Sequence, residues 1–254
     1  TAEELDFLSE CLRYGISICV AGATSSGKTT ITGWLLGTIP DSKRIFTIEN
    51  GSRELDLVRE HDGAVCNSVV HTLTRASENE KQNIDQDSLL DMALRFNPEI
   101  ICVGEMRSYE AYTAQEAART GHTVLTTIHS NSCESTYRRM CTLCKRKYDI
   151  KDETLMALVT EAFPIIVFTK QLENKKRKVM EIMECELLPD GGMNFRTLFH
   201  YHIRENRMEG SRFIISGDHE KVNGISESLK RRLLENGMSK ETLARITGKG
   251  GGKC

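Results

Sequence analysis

The run Gly22-Ala23-Thr24-Ser25-Ser26-Gly27-Lys28-Thr29 restricts the fold of this chain more than any other part of it. It has the spacing of a phosphate-binding loop, whose glycines let the backbone turn tightly and aim successive N–H groups at an anion. Such a loop works only between a buried strand and the N-terminus of a helix, which adds its positive end to the same spot. Both neighbours are present: residues 16–21 are short, apolar and β-branched, and Thr30 opens a helical stretch. Gly22, Ala23, Thr24, Ser25, Ser26, Gly27, Lys28, Thr29 and Thr30 are therefore the candidate nucleotide-binding set. Lys28 offers a mobile cation to the β- and γ-phosphates, and the Thr29 hydroxyl can hold Mg2+.

Further along, apolar runs at 44–48, 65–72, 100–104 and 122–128 read as strands. Helical patterns at 5–14, 30–37, 87–95, 109–119, 135–147 and 152–161 alternate with them, and Asn97-Pro98 and Gly121 mark helix ends. Alternation of this kind predicts a mostly parallel sheet covered on both faces. Residues 73–86 are polar without period and read as a loop that orders only with a ligand or neighbour. Runs at 165–168, 177–186 and 194–204, separated by turn residues, predict an antiparallel extension of that sheet. Beyond Gly210 the composition turns polar and helical, with short helices at 225–234 and 240–246 and a flexible tail at 248–252. The expected division is an α/β domain at 1–205 and a small helical segment at 206–254.

Composition removes several function classes. With 34 basic and 36 acidic residues and a net charge of -2, the chain has no strong nucleic-acid footprint. Nine cysteines are scattered, some inside apolar strands, as expected of reduced thiols in a cytoplasm rather than a disulfide framework. The pair Cys141 and Cys144 lacks a second pair at zinc-ligand spacing and reads as helix packing. There is no signal peptide and no apolar run long enough to span a bilayer. The start directly in a helical pattern, without an initiating Met, suggests a fragment of a longer protein.

In a parallel sheet the carboxyl ends of the strands face one crevice, so the phosphate loop, Glu49, Glu105 and His129 are expected to converge there. Glu105 follows the strand at 100–103 and suits a general base that orients the water attacking a γ-phosphate. Glu49 ends its own strand and could bind the cation or position the nucleophile, and Glu54 is the weaker alternative. His129 could sense the γ-phosphate, whereas His122 lies at the opposite end of the same strand. Arg75, Arg95, Arg107 and Arg119 are candidates to neutralise developing charge, with Arg107 nearest to Glu105 in the chain. Lys175-Lys176-Arg177-Lys178 reads as a solvated hairpin turn.

Taken together these segments resemble the secretion and pilus ATPases, the hexameric motors of type II secretion, type IV pilus assembly and type IV secretion. Residues 22–30 resemble their Walker A loop and residues 46–55 their aspartate box. Residues 100–107 resemble their Walker B segment and residues 120–131 their histidine box. The match covers about residues 5–205 and is most similar to the tight-adherence pilus and conjugation-type branches, since Ile39-Pro40 precedes the Arg44 strand and a tetracysteine motif is missing. The resemblance implies a RecA-like P-loop core that binds ATP and Mg2+, with Thr29, Glu105 and Glu49 near the metal. Lys28 would bind phosphate, Glu105 would be the base, Glu49 an aspartate-box acid and His129 a histidine-box sensor, while Arg107 stays a catalytic candidate on its place beside Glu105 in the chain. It also implies a homo-hexamer at the cytoplasmic face of the inner membrane, held peripherally by a platform protein, with no direct nucleic-acid contact. A nucleic-acid translocase built on the same core and an ATP-binding switch without turnover are the other readings. Two departures stand out: Asn50 occupies a position where most relatives carry aspartate, and the family's N-terminal domain does not precede the motor in this sequence.

Overall fold

Continuous apolar runs are buried on both faces wherever they form the middle of a sheet, and that is what the strands of this chain do. The computed structural model describes residues 1–248. In chain order the elements begin with α1 (Ala2–Arg13), β1 (Ile18–Gly22), α2 (Lys28–Gly37), β2 (Arg44–Glu49), β3 (Glu60–His61), β4 (Ala64–Val65) and β5 (Ser68–Leu73). They continue with α3 (Gln86–Ala93), β6 (Ile100–Met106), α4 (Glu110–Arg119), β7 (Thr123–Ile128), α5 (Cys133–Cys144) and α6 (Asp152–Ala162). The last are β8 (Ile165–Gln171), β9 (Arg177–Leu187), β10 (Met193–Glu209), β11 (Arg212–Lys221), α7 (Glu227–Glu235) and α8 (Lys240–Thr247).

A nine-stranded sheet has the order β11-β10-β9-β8-β1-β7-β6-β2-β5, with β3 and β4 forming a separate two-stranded piece. Neighbours from β8 to β5 are all parallel, and β9, β10 and β11 continue the sheet antiparallel. This is the α/β architecture expected: a P-loop core with a mostly parallel sheet, an antiparallel extension and C-terminal helices.

Period-2 alternation assigns each strand residue to one of two cores. In β1, Ile18 and Val20 face Phe7 and Leu8 of α1, Leu35 and Leu36 of α2, and Leu229 and Leu233 of α7. Cys19 and Ala21 face the other layer, built from α3, α4, α5 and α6 with Leu90, Ala114, Tyr137 and Val159. α1 buries Phe7, Leu8, Cys11 and Leu12 along one stripe, and its first turn is closed by a capping box between Thr1 and Glu4. Truncating Leu8, which is fully buried, to Ala would cost about 2–5 kcal/mol.

Four expectations change. Residues 65–72 do not form one strand: 64–65 turn back on β3, and β5 begins at Ser68 on the parallel edge beside β2. The loop at 73–86 is closed by its own chain, because the Arg75 N–H donates to the Ile84 carbonyl at 2.8 Å and the Ile84 N–H to the Arg75 carbonyl at 2.9 Å. Residues 212–221 are not helical but form β11, paired with β10 in a register that sets Phe213 beside Met208 and Ile215 beside Asn206. The strand goes unnoticed in the sequence because only one partner covers it and its outer positions are polar. β10 runs to Glu209, so the division drawn at 205/206 falls inside a strand. The two short helices beyond it form as α7 and α8, and the tail from residue 249 lies outside the described residues. Among those residues no helix is long and apolar enough to cross a membrane.

Candidate functional site

The carboxyl ends of β1, β2, β6 and β7 open on one cleft of about 460 Å3. Its lining includes the loop residues from Thr24 to Thr30 together with Glu49, Glu105, Arg107 and His129. Sequence positions far apart are thus brought to one crevice by the parallel strands, as the order of motifs required.

The loop owes its shape to Gly22 and Gly27. Gly22 has φ +154° and lies so close to β8 that an added Cβ would come within 2.4 Å of the Thr169 carbonyl oxygen. The Ser26 Oγ and Thr169 Oγ1 hydroxyls are 2.8 Å apart, and Thr169 Oγ1 donates to the Ala21 carbonyl at 3.1 Å, so β8 anchors the loop from beneath. Gly27 is left-handed at φ +99° and caps the start of α2, whose first N–H groups point into the cleft. Lys28 is mostly buried, and its Nζ donates to the carbonyls of Gly22 at 3.0 Å and Ala23 at 2.9 Å. Burial pulls its pKa below the ordinary lysine value, against the opposing pull of the nearby Glu105 carboxylate.

Glu105 reaches the cleft because β6 is bulged. The register with β7 shifts between Val103 and Met106, and the two carbonyls that lose their strand partners are taken up by side chains. Thr127 Oγ1 donates to the Gly104 carbonyl at 2.7 Å and Gln86 Nε2 to the Glu105 carbonyl at 3.0 Å. The Glu105 carboxylate accepts from Arg107 Nη2 at 2.6 Å, and its other oxygen lies 2.9 Å from His129 Nε2 without hydrogen-bond alignment. The pairing raises the Arg107 pKa above its ordinary value. Glu49 is buried, and its Oε2 accepts the N–H groups of Glu54 at 2.6 Å and Leu55 at 3.0 Å. Its Oε1 has no hydrogen-bond partner and sits 3.7 Å from His71 Nδ1. The Thr29 hydroxyl donates to Glu54 Oε2 at 3.2 Å.

These oxygens suit a hard divalent cation: an unpartnered buried carboxylate oxygen on Glu49, the Thr29 hydroxyl and the Glu105 carboxylate all border the same space. Among the described residues no group of three or more His, Cys, Asp or Glu side chains forms a protein-only metal cage. A Mg2+ ion there would complete its shell with phosphate oxygens and water, its usual arrangement in nucleotide sites.

Of the four arginines considered, only Arg107 lines the cleft. Arg119 is held by Glu116 and Glu161 at the end of α4, and Arg95 lies in the turn before β6, at the opposite edge of the sheet. Arg75 is on the correct edge but donates to the Gln82 carbonyl at 3.1 Å. His122 precedes β7 and is likewise at the far edge. Cys141 and Cys144 are buried residues of α5, where burial raises their pKa values to about 11 and about 12. Thr127, Gln86 and Arg177 are site residues that the sequence did not single out. Arg177 was hidden in a charged run, yet its Nε donates to the Ser25 carbonyl at 2.9 Å.

The sequence profile of the type II/IV secretion system protein family matches residues 2–244. The chain is 32% identical over 190 residues to the type IV secretion system protein PtlH of Bordetella pertussis, covering 72% of this chain and 54% of that protein. It is 30% identical over 182 residues to the type IV secretion system protein VirB11 of Bartonella quintana, covering 70% of this chain and 49% of that one. Among solved structures, the VirB11 ATPase of the Brucella suis type IV secretion system, in complex with sulphate, superposes with a TM-score of 0.61 at 26% identity. That match covers 72% of this chain and 52% of the Brucella chain. The chain thus spans about half the length of the curated relatives it matches.

Proposed function

This chain belongs to the type II/IV secretion system protein family, and on that premise we propose that it is a Mg2+-dependent ATPase domain whose hydrolysis of ATP drives pilus assembly or protein secretion. The observation that carries the reading is the convergence of Lys28, Glu49, Glu105 and His129 from four strand ends on one cleft. A fold-maintaining set of polar residues has no reason to gather so.

In this reading the backbone N–H groups of the loop and of the first turn of α2 cradle the phosphates, and Lys28 exchanges its bonds to the Gly22 and Ala23 carbonyls for the β- and γ-phosphates. Thr29 and Glu49, with the Glu105 carboxylate beside them, would hold Mg2+, which would supply charge neutralisation for the phosphates. Glu105 accepts a hydrogen bond from the attacking water and directs its lone pair at the γ-phosphorus, taking up the proton as the new O–P bond forms and the bond to the β–γ bridging oxygen breaks, with ADP as the leaving group. Arg107 shares the charge of Glu105 before attack and is close enough to turn toward the leaving phosphate. His129, 2.9 Å from the second oxygen of Glu105, links that carboxylate to the segment after β7. The protein supplies positioning and electrostatics, which are the main sources of rate in phosphoryl transfer.

Assembly belongs to the same proposal: a homo-hexameric ring, with each nucleotide near a subunit boundary, bound peripherally at the cytoplasmic face of the membrane through a platform protein. Family membership supports it. The α/β motor would extend past 205 to Lys221, because β10 and β11 continue its sheet, with α7 and α8 as the helical segment behind it.

The deciding experiment is Glu105→Gln. Hydrolysis should fall by about 10²–10⁴-fold while fluorescent ATP analogues still bind. Full hydrolysis by the variant would defeat the assignment, and DNA-stimulated hydrolysis by the wild type would favour a translocase instead.

A further inference from the structure

β9 runs against its neighbour β8, so its first residue, not its last, arrives at the carboxyl edge of the sheet: Arg177 pairs in register with Gln171. Its side chain then lies over the phosphate loop. A Cβ placed on Gly27 would meet Arg177 Cδ at 3.3 Å, and Arg177 Nε donates to the Ser25 carbonyl at 2.9 Å. That is its one side-chain hydrogen bond among the described residues, and no carboxylate there lies within ion-pair distance of it. Elsewhere Arg119, Arg204 and Arg245 are each paired with acids. The planar guanidinium with Nε engaged still has its Nη groups to present to the cleft that Arg177 lines.

Charge in the cleft sharpens the point. Lys28, Arg107 and Arg177 are its cations, against Glu49, Glu54 and Glu105. Arg107 is already paired with Glu105 at 2.6 Å, whereas Lys28 and Arg177 have no acid partner among the described residues and meet an incoming polyanion with their charge unshared. An arginine fork is the group best matched to phosphate oxygens, and anchoring its Nε on the loop fixes the fork in advance.

We propose that Arg177 is a second phosphate-binding cation of this site, contributed by the antiparallel extension, which clamps the loop through Ser25 and contacts the bound phosphates through Nη1 and Nη2. This rests on the reading of the cleft as a nucleotide site. Lys175, Lys176 and Lys178 of the same run are absent from the lining and serve as the contrast.

The test compares wild type, Arg177→Gln, Arg177→Lys and Lys176→Gln by calorimetric binding of ATP and of inorganic pyrophosphate, with the melting midpoint of each ligand-free protein. Arg177→Gln should weaken ATP and pyrophosphate alike by about tenfold or more. Arg177→Lys should regain only part of that, and Lys176→Gln should match wild type. The ligand-free melting midpoints should agree within about 2 °C. Unchanged affinity in Arg177→Gln overturns the proposal, as does weakened ATP binding with unchanged pyrophosphate binding. A fall in melting midpoint that accounts for the lost affinity overturns it too, by making Arg177 a structural strut. Failure of the wild type to bind either ligand sinks the nucleotide reading itself, and this inference with it.

Discussion

Gln86 at the start of α3 donates its side-chain N–H to the main-chain carbonyl of Glu105 at 3.0 Å, so the helix after the closed 75–84 loop holds the bulge that turns Glu105 into the cleft. The acid is therefore aimed from behind by its backbone and held in front by Arg107.

Replacing Gln86 with Leu should separate these roles. The carbonyl left without a partner in a mostly buried setting costs about 1–3 kcal/mol, read from urea unfolding. Hydrolysis should fall in kcat with little change in nucleotide affinity, because Gln86 is not part of the cleft lining. An unchanged kcat would mean that the bulge holds itself.

Arg107→Ala removes both the partner of Glu105 and a mobile cation at the cleft. Steady-state assays should show kcat lowered by about 10–100-fold with ATP affinity within threefold. Arg119→Ala, whose partners are Glu116 and Glu161, should leave both parameters alone and lower stability by no more than about 1 kcal/mol.

Gly22→Ala forces a Cβ to within 2.4 Å of the Thr169 carbonyl at a backbone angle that side chains seldom adopt. We expect a loss of about 1–3 kcal/mol in urea unfolding together with loss of nucleotide binding. Gly37→Ala, where an added Cβ meets nothing within 4 Å, is the control that should be neutral or mildly stabilising.

His71 gives stability a pH dependence. Burial lowers its folded pKa below the ordinary value near 6.5, with Arg53 adding to the shift and Glu49 opposing it. The unfolded chain then binds the proton more readily, so the contribution is present above pH 6.5 and is lost as pH falls through the lowered folded value. Chemical unfolding measured across that range should show a fall on acidification that His71→Gln flattens.

Thiol mapping tests the reading of the cysteine pair. Cys66 is exposed, and in the native protein at pH 8 it should react with an alkylating reagent in minutes. Cys141 and Cys144, buried and with raised pKa values, should stay protected until denaturant is added. Rapid native labelling of that pair would place it on an accessible surface.

The parallel core was readable because its signals are local and mutually reinforcing. Ile18 to Gly22, Ile100 to Val103 and Thr123 to Ile128 are largely apolar runs that end in a residue or loop lining the cleft, and a parallel sheet sends all such ends the same way. β11 was not readable, since half-exposed residues such as Ser216 and Asp218 are shaped by a single partner strand that the local sequence does not name. Arg177 was missed for a related reason. A basic run at a turn normally belongs to solvent, and only the reversed direction of β9 singles one member out. The bulge at Glu105 is invisible in one dimension, because its supports, Gln86 and Thr127, come from other elements.

The change of strand direction beside β8 also divides the mouth of the cleft between two independently variable pieces of chain. Its floor is written in the loop between Gly22 and Thr29, where a single extra methyl group collides with the backbone. Its rim is written in a surface hairpin turn at 172–176, where insertions are cheap. Descendants of this chain could therefore retune how readily the mouth admits and releases its occupant by editing that turn, leaving the floor untouched.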